Sequence, residues 1–357
     1  MEAFDWPTLL SDCVDFAQRL IQTPSMPGKE GRLAALVAKE LRRLQFDQVW
    51  LDEAGNVSGR IYGLDRALGA IVLNCHLDHV DPGDAGLWST HPYAAEVING
   101  RLYGRGACDI KGPLATQVYS MAALRRANQR PRRDLVFSGV VEEEVGGKGA
   151  KYWAEHLDYD VDLIVLGEPS SNQLSLGHRG IRQIWVKFSG RSVHASAPER
   201  ASNPNIALAE FLLRLERMKA GLPGHELLGH TTVAPTIIEV DTTSMNVTPA
   251  WTRVLLDFRT AAMSVNDILA FIAEVAAGLT YELSDAWTEV VLSNTTSGSS
   301  NARIFGYYTS PDSVEVKSVC DALERGMGWR PELACYQFAT DGRHFRSVGA
   351  AIVGYSP

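Results

Sequence analysis

Three short runs of this chain are apolar without alternation: Ala70-Ile71-Val72-Leu73-Asn74-Cys75, Leu135-Val136-Phe137-Ser138-Gly139-Val140-Val141 and Leu163-Ile164-Val165-Leu166-Gly167. A strand that alternates apolar and polar residues keeps one face in water. A strand without alternation needs cover on both faces, which helices supply in a sheet with parallel strands. Helical stretches fall between these runs, Pro113 to Ala127 with its proline in the permissible first turn, and Lys148 to Glu155. Ahead of them Val14, Phe16 and Leu20, then Leu33, Leu36, Val37, Leu41 and Leu44, keep a helical rhythm broken between Pro24 and Gly28, which predicts two helices. The alternation predicts an α/β fold with a largely parallel central sheet.

From Ile181 the rhythm changes. Ile184 to Phe188 alternates as a half-buried strand, followed by a helix at Asn205 to Met218 and strands near Val233 to Val240 and Thr252 to Phe258. A helix at Val265 to Ala277 and a last strand near Thr288 to Leu292 complete a strand-helix-strand-strand-helix-strand order, the ferredoxin-like α+β plan. This predicts an inserted domain over 177–298 within a larger domain formed by 1–176 and 299–357, with Ser293 to Asn301 as the return linker. A helix at Asp312 to Met327 and a closing strand at Ala350 to Val353 follow.

Composition narrows the function. With 45% hydrophobic and 21% charged residues among 357, the chain has the balance of a soluble globular protein. Its net charge of −8 gives no pull toward phosphate backbones, so no nucleic-acid partner is expected. No run approaches the ~18 apolar residues of a membrane span. The opening Met1-Glu2-Ala3-Phe4-Asp5-Trp6 lacks a basic and then apolar leader, and the five scattered cysteines form no C-x-x-C, so a reducing cytoplasmic setting without disulfides is expected. Cys75 and Cys108 read as small buried apolar side chains, and Trp185 and Trp287 as core.

The chemistry gathers where the apolar runs end. His76-Leu77-Asp78 follows the first, Glu142-Glu143-Glu144 the second and Glu168-Pro169 the third; Asp109 stands in Gly104-Arg105-Gly106-Ala107-Cys108-Asp109-Ile110-Lys111-Gly112 before a helix. Ligands bind open α/β sheets at the carboxyl ends of the strands. An imidazole and several carboxylates converging there repel one another unless one or two divalent metals sit among them. Mixed nitrogen and oxygen ligation suits zinc and is open to cobalt or manganese. Asp109 occupies the place of the third glycine of a dinucleotide loop, and neither a P-loop nor a G-x-S-x-G elbow is present, which disfavours nucleotide and serine-hydrolase chemistry.

The same order of motifs continues through Glu144-Val145-Gly146-Gly147, Gly167-Glu168-Pro169-Ser170, His194-Ala195-Ser196-Ala197-Pro198, Asn246-Val247-Thr248-Pro249, Asp257-Phe258-Arg259 and Thr340-Asp341-Gly342-Arg343. Over nearly its whole length the chain resembles the dinuclear-zinc acetylornithine deacetylase, succinyl-diaminopimelate desuccinylase and glutamate carboxypeptidase family of metallopeptidases. Glu142-Glu143-Glu144 with Lys148-Gly149-Ala150, and Gly177-His178-Arg179-Gly180, are also similar to the lysine-biosynthesis branch of that family. The resemblance implies a zinc-peptidase-like catalytic domain and an inserted lid or dimerisation domain, two zinc ions per subunit, and a homodimer formed through the insert. It implies that His76, Asp109 and Glu168 hold one metal, that Asp109 bridges to a second held by Glu144, and that Asp78 orients His76. Glu143 is then the general base: metal-activated water attacks an amide carbonyl, and Glu143 returns the proton to the leaving amine. His194 would stabilise the oxyanion, and Asn246, Arg259 and Arg343 would hold the substrate carboxylate. His79, His91, His178 and His344 read as structural or solvent-facing.

Members of that family continue past a Gly-Tyr-Ser-Pro-like segment to a histidine that completes the second metal site. The sequence ends at Gly354-Tyr355-Ser356-Pro357, and a weakened second site is the expectation. The implied activity is removal of an N-acyl group from a small amino acid. The alternatives are a dipeptidase or carboxypeptidase working on short peptides with the same site, and a metal-poor, non-catalytic homologue.

Overall fold

The computed structural model describes residues 4–261, 263–291, 297–301, 303–304 and 306–357. Asp5 accepts a hydrogen bond from the Thr8 N–H (3.1 Å) and opens α1 (Trp6–Ile21), whose buried stripe of Leu9, Phe16, Ala17 and Leu20 meets the core. α2 (Gly31–Arg43) adds Leu33, Val37 and Leu41 to the same core. After β1 (Gln48–Leu51), β2 (Val57–Ile61) and β3 (Ala70–His76) comes a small hairpin of β4 (Glu96–Ile98) and β5 (Arg101–Tyr103). The chain goes on through α3 (Gly112–Arg126), β6 (Leu135–Val140), α4 (Lys148–Glu155), β7 (Val161–Leu166) and β8 (Leu174–His178).

The second region begins at β9 (Gly180–Ser189) and α5 (Pro204–Met218), passes a short hairpin of β10 (Gly224–His225) and β11 (Gly229–His230), and continues through β12 (Thr232–Val240), β13 (Trp251–Thr260), α6 (Val265–Val275) and β14 (Tyr281–Asp285). β15 (Trp287–Val291) pairs antiparallel with β16 (Ser297–Asn301), and β17 (Arg303–Ile304) pairs with β9. The chain closes with β18 (Tyr307–Tyr308), α7 (Val314–Met327), β19 (Leu333–Tyr336) and β20 (Ala351–Gly354).

The main sheet runs β1-β2-β6-β3-β7-β20-β8-β18, with β19 on β8. Its middle, β6-β3-β7-β20, is parallel, and β2 and β8 join it antiparallel. The sheet is mixed with a parallel centre. β3, β6 and β7 are the runs apolar on both faces, and α1, α2 and α3 cover one side through a core that includes Phe16, Leu41, Val118 and Phe137. The second sheet is wholly antiparallel in the order β12-β13-β9-β14, the ferredoxin-like arrangement, with α5 and α6 closing a core around Phe188, Phe211, Phe258 and Ile272. Contacts divide the chain into two compact units, Met1–Gly177 with Tyr308–Tyr336 and Thr340–Pro357, and His178–Tyr307 with Gln337–Ala339.

Several expectations need correction. The fourth strand of the antiparallel sheet is Tyr281–Asp285, not the strand near 288–292; its alternation is only Tyr281 and Leu283 between Glu282 and Ser284, too short a run to stand out. The expected linker 293–301 includes a paired strand at Ser297–Asn301, and 292–296 lie outside the described residues. Trp185 is half-buried on the open face of β9 beneath the Arg253 guanidinium, 4.1 Å from the ring centroid, and is not core; the side chain of Trp287 lies outside the described residues. Cys75 is buried, but Cys108 is exposed because it sits on the irregular turn that presents Asp109. No described helix is long and apolar enough to cross a membrane.

Candidate metal centre and active site

β3 and β6 run parallel, with Cys75 opposite Gly139 and His76 opposite Val140, so the segments leaving both strands emerge at one rim. Asp78, wholly buried, ties the two exits together: its carboxylate accepts the backbone N–H groups of Glu143 (3.1 Å) and Glu144 (3.0 Å). The chain can turn this sharply because Glu142 adopts a left-handed conformation (φ 59°, ψ 36°), and its own N–H is held by Glu30 Oε1 at 3.1 Å. A non-glycine residue there costs about 1 kcal/mol or more, strain that the hydrogen bonds to Asp78 offset.

His76 is 2% exposed. Its Nδ1 lies 3.0 Å from the Asp78 carbonyl and 3.4 Å from Asp78 Oδ1, which leaves Nε2 facing Asp109 Oδ1 at 2.8 Å. Nδ1–H donating to Asp78 fixes the tautomer in which Nε2 has a lone pair to give. Asp109 is delivered by an irregular turn at Ala107–Lys111, where it takes φ −117°, ψ 90° before α3 begins; the Asp109–Ile110 peptide bond is cis. One ligand atom each from His76, Asp109 and Glu144 lies within 4.8 Å of the other two, a spacing that suits a shared cation. Glu168, at the end of β7, reaches within 4.0 Å of His76 Nε2.

The charge balance of the rim is unusual. Burial raises Glu168 to about 8, and Asp109, Asp341 and Glu144 add to it against His76. Burial likewise lifts Asp341 to about 7 against the opposing Arg343 and His76. Glu143 is pushed well above the usual carboxylate range by burial and by its neighbours Asp341 and Glu168, and Glu144 is raised by burial. Burial tends to lower His76, but Asp109, Asp78 and Glu168 outweigh it and raise the ring well above its ordinary value. Only Asp78 goes the other way: burial is overcome by His76 and the two N–H donors, and its carboxyl stays low. Nearby Lys111, buried with Nζ on the Thr23 carbonyl (2.8 Å), is lowered to about 7 by burial. Carboxyl groups thus crowd this rim beyond what the protein's own cations neutralise, and the imidazole, carboxylate and spacing fit a divalent metal.

Asp341 belongs to a motif noted in the sequence, but the sequence gives it no role. It is 2% exposed, and neither carboxylate oxygen has a hydrogen-bond partner among the described residues. The chain makes room for it with Gly147 (φ 75°), where a Cβ would lie 2.2 Å from Asp341 Oδ1 and 2.5 Å from His344 Nε2. His344, expected to be structural or solvent-facing, is half-buried with Nε2 3.0 Å from the Gly146 carbonyl and 3.1 Å from Arg343 Nε. Arg343 reaches the Thr340 carbonyl as well (3.4 Å). His79 is structural: Nε2 accepts from the Ser25 N–H (3.0 Å) and Nδ1–H donates to the Val80 carbonyl (2.8 Å).

In the second unit the structure brings His194 and Asn246 together. Asn246 Nδ2 lies 3.3 Å from His194 Nε2, and Ser196 Oγ is 2.8 Å from Nδ1. Arg259, on β13, instead holds Asp257, with Nε 2.7 Å from Oδ1.

Comparison with known proteins gives the family and the fold. The model of "Peptidase family M20/M25/M40" matches residues 72–357. A protein of Ruegeria sp. (strain TM1040) named succinyl-diaminopimelate desuccinylase 2 is 28% identical over 93% of this chain and 84% of its own length. The succinyl-diaminopimelate desuccinylase of Caulobacter sp. (strain K31) is 31% identical over 70% of this chain and 65% of its own. Among solved structures, aminopeptidase PepT of Bacillus cereus superposes with a TM-score of 0.74 at 17% identity, covering 99% of this chain and 90% of that one. The YXEP protein of Bacillus subtilis, a dinuclear metal-binding peptidase, does so with a TM-score of 0.68 at 13% identity, over 98% and 89%. These two share the fold: the parallel-centred sheet and the separate antiparallel sheet. With its family model spanning the whole rim from β3 to β20, the chain belongs to peptidase family M20/M25/M40, metallohydrolases that act on amide and peptide bonds.

Proposed function

We propose that this protein is a zinc-dependent amidohydrolase that removes an N-acyl group from a small amino acid. The observation that carries the reading is the His76, Asp109 and Glu144 donor group, its atoms within 4.8 Å of one another and directly next in sequence to the raised carboxyl of Glu143. His76, Asp109, Glu144 and Glu168 would hold the divalent ions, zinc first and cobalt or manganese as substitutes. Bound there, such ions supply Lewis acidity for the scissile carbonyl and lower the pKa of attacking water. Glu143 takes the proton of that water and delivers it to the leaving amine, a transfer that needs a carboxyl able to hold a proton near neutrality. Asp78 keeps His76 in its ligating tautomer while positioning the backbone of the base. His194, with Asn246 beside it, is the proposed donor to the oxyanion formed when water adds to the amide; Arg343 and Arg259 are the proposed holders of the amino acid's carboxylate.

The acyl amino acid is preferred over a peptide because several sequence relatives that cover most of this chain carry the desuccinylase name. The proposed homodimer would form through the second unit, whose edge strand β12 leaves Ile237, Ile238 and Val240 exposed. The test is hydrolysis of a panel of N-succinyl and N-acetyl amino acids and dipeptides, with and without added zinc or cobalt. The expected result is cation-dependent release of the free amine from an N-acyl amino acid. Faster cleavage of dipeptides would assign a peptidase instead, and no hydrolysis under any condition would leave the metal-poor homologue.

A further inference from the structure

The first unit holds a cavity at the opposite end of the strands from the metal centre. Ile61 of β2 pairs with Leu135, the first residue of β6, and Gln48 of β1 pairs with Arg60, so Arg60 lies at the amino end of the parallel strands. Tyr159 precedes β7 at the same end. Between them is a cavity of about 660 Å³, within the range that small-molecule sites occupy.

Its walls combine flat rings with incompletely paired cations. Arg60 is 11% exposed in its side chain, and its guanidinium lies 4.1 Å from the ring centroid of Tyr159 and 5.7 Å from that of Trp50. Its Nε is shut off from solvent and has no hydrogen-bond acceptor among the described residues. The nearest carboxylate, Asp134, is 3.8 Å from Arg60 Nη1 and 3.6 Å from Arg66 Nε, beyond hydrogen-bond length for both, and it already accepts the Gly63 N–H at 2.8 Å. One carboxylate therefore serves two guanidinium groups at long range. Of the two acids on the cavity wall, Asp52 spends its carboxylate on the N–H groups of Ala54, Gly55 and Asn56 and on Asn56 Nδ2; Asp158 is solvent-exposed. The Tyr159 hydroxyl, shut off from solvent, lies against the Arg60 guanidinium, and burial raises it to about 12 against the pull of that charge. Tyr152, stacked on His156 with ring centroids 3.9 Å apart, supplies a further aromatic face.

We propose that this cavity is a ligand site for a small flat aromatic molecule bearing an oxyanion, a carboxylate or a phosphate. The ring lies against Trp50 and Tyr152, and the anion takes the guanidinium groups of Arg60 and Arg66. Two guanidinium groups that share one carboxylate beyond hydrogen-bond length have charge left to answer, and a planar oxyanion matches their forks. The aromatic rings of the wall favour a flat partner over an aliphatic one. Because the cavity and the catalytic rim are at opposite ends of the same strands, the site does not depend on the reaction assigned above.

The test is calorimetric titration of the full-length protein with adenosine monophosphate and with indole-3-acetate, which separate the phosphate from the carboxylate source, and with adenosine, indole and inorganic phosphate as incomplete probes. Saturable binding of one complete probe is expected, with each incomplete probe at least about tenfold weaker. Arg60→Met should weaken that binding about tenfold or more, and the exposed Arg66→Ala, which leaves the core untouched, several-fold. Circular dichroism melts establish that both variants are folded; if Arg60→Met is not, Arg66→Ala and Tyr152→Ala decide. No saturable binding of either complete probe at about 1 mM, or binding unchanged in the folded variants, would overturn the proposal.

Discussion

Glu143→Ala is expected to abolish turnover, by at least about a thousandfold, while zinc binds the variant as tightly as the parent. The reason lies in how the side chain is placed. Its backbone N–H is fixed by Asp78 and its carboxyl is raised by burial, Asp341 and Glu168, whereas the donor group consists of His76, Asp109 and Glu144. Removing the carboxyl deletes the only proton carrier the mechanism assigns to the rim without touching a metal donor. Glu143→Gln keeps the shape and should be equally inactive, because an amide cannot accept the proton. Steady-state hydrolysis of the best N-acyl substrate and zinc calorimetry on the same samples check both halves. Near-full activity would remove Glu143 from the mechanism, and would move the base to a neighbour in the triple-Glu run.

Stripped of metal, the protein should lose stability as pH rises, and zinc should restore it. Glu168 and Asp341 titrate at about 8 and about 7 in the folded chain, far above the ~4 of an unfolded carboxyl. Between the unfolded and folded values the native state holds protons that the unfolded chain has released, so stability falls with pH across that range. His76, raised in the folded chain, has the same sign: its contribution is lost as pH climbs through its folded value. Two groups act in the opposite sense: His79, lowered by burial, only below its ordinary ~6.5, and Lys111, lowered to about 7 by burial, from about 7 upward, where it offsets part of the loss from Glu168, Asp341 and His76. Chelated protein should therefore melt several degrees lower at about pH 8.5 than at about pH 6.5, and added zinc should raise the melting temperature most at the higher pH. Equal melting at the two values, or a rise with pH, would contradict the reading of these carboxyls as buried and proton-bound.

Legibility in the sequence tracks burial. β3, β6 and β7 are apolar on both faces, and each exit carries its acidic or imidazole residues immediately after the last apolar one, so both strands and site can be read. β14 cannot, because its five residues offer only Tyr281 and Leu283 as an apolar face, and Glu282, Ser284 and Asp285 around them look like loop. β1 and β2 carry little signal for a related reason: β1 is short and largely exposed, and β2 contains Ser58, Gly59 and Arg60. Asp341 escapes because nothing local marks a carboxylate as buried; its burial comes from Gly147, nearly two hundred positions away in the chain. The exposed Cys108 and the half-open Trp185 show the converse error, in which residue type stands in for environment.

The central claim is that His76, Asp109 and their neighbouring glutamates exist to gather divalent cations at one rim of the parallel strands. Calorimetric titration of zinc into the chelated protein, the parent beside Asp109→Asn, tests it most directly. The substitution removes one charge from the bridge between His76 and Glu144 and keeps its size. The account predicts tight, saturable zinc binding in the parent and a loss of at least about a hundredfold in affinity in the variant. Zinc binding that is absent from the parent, or identical in the two proteins, would contradict it.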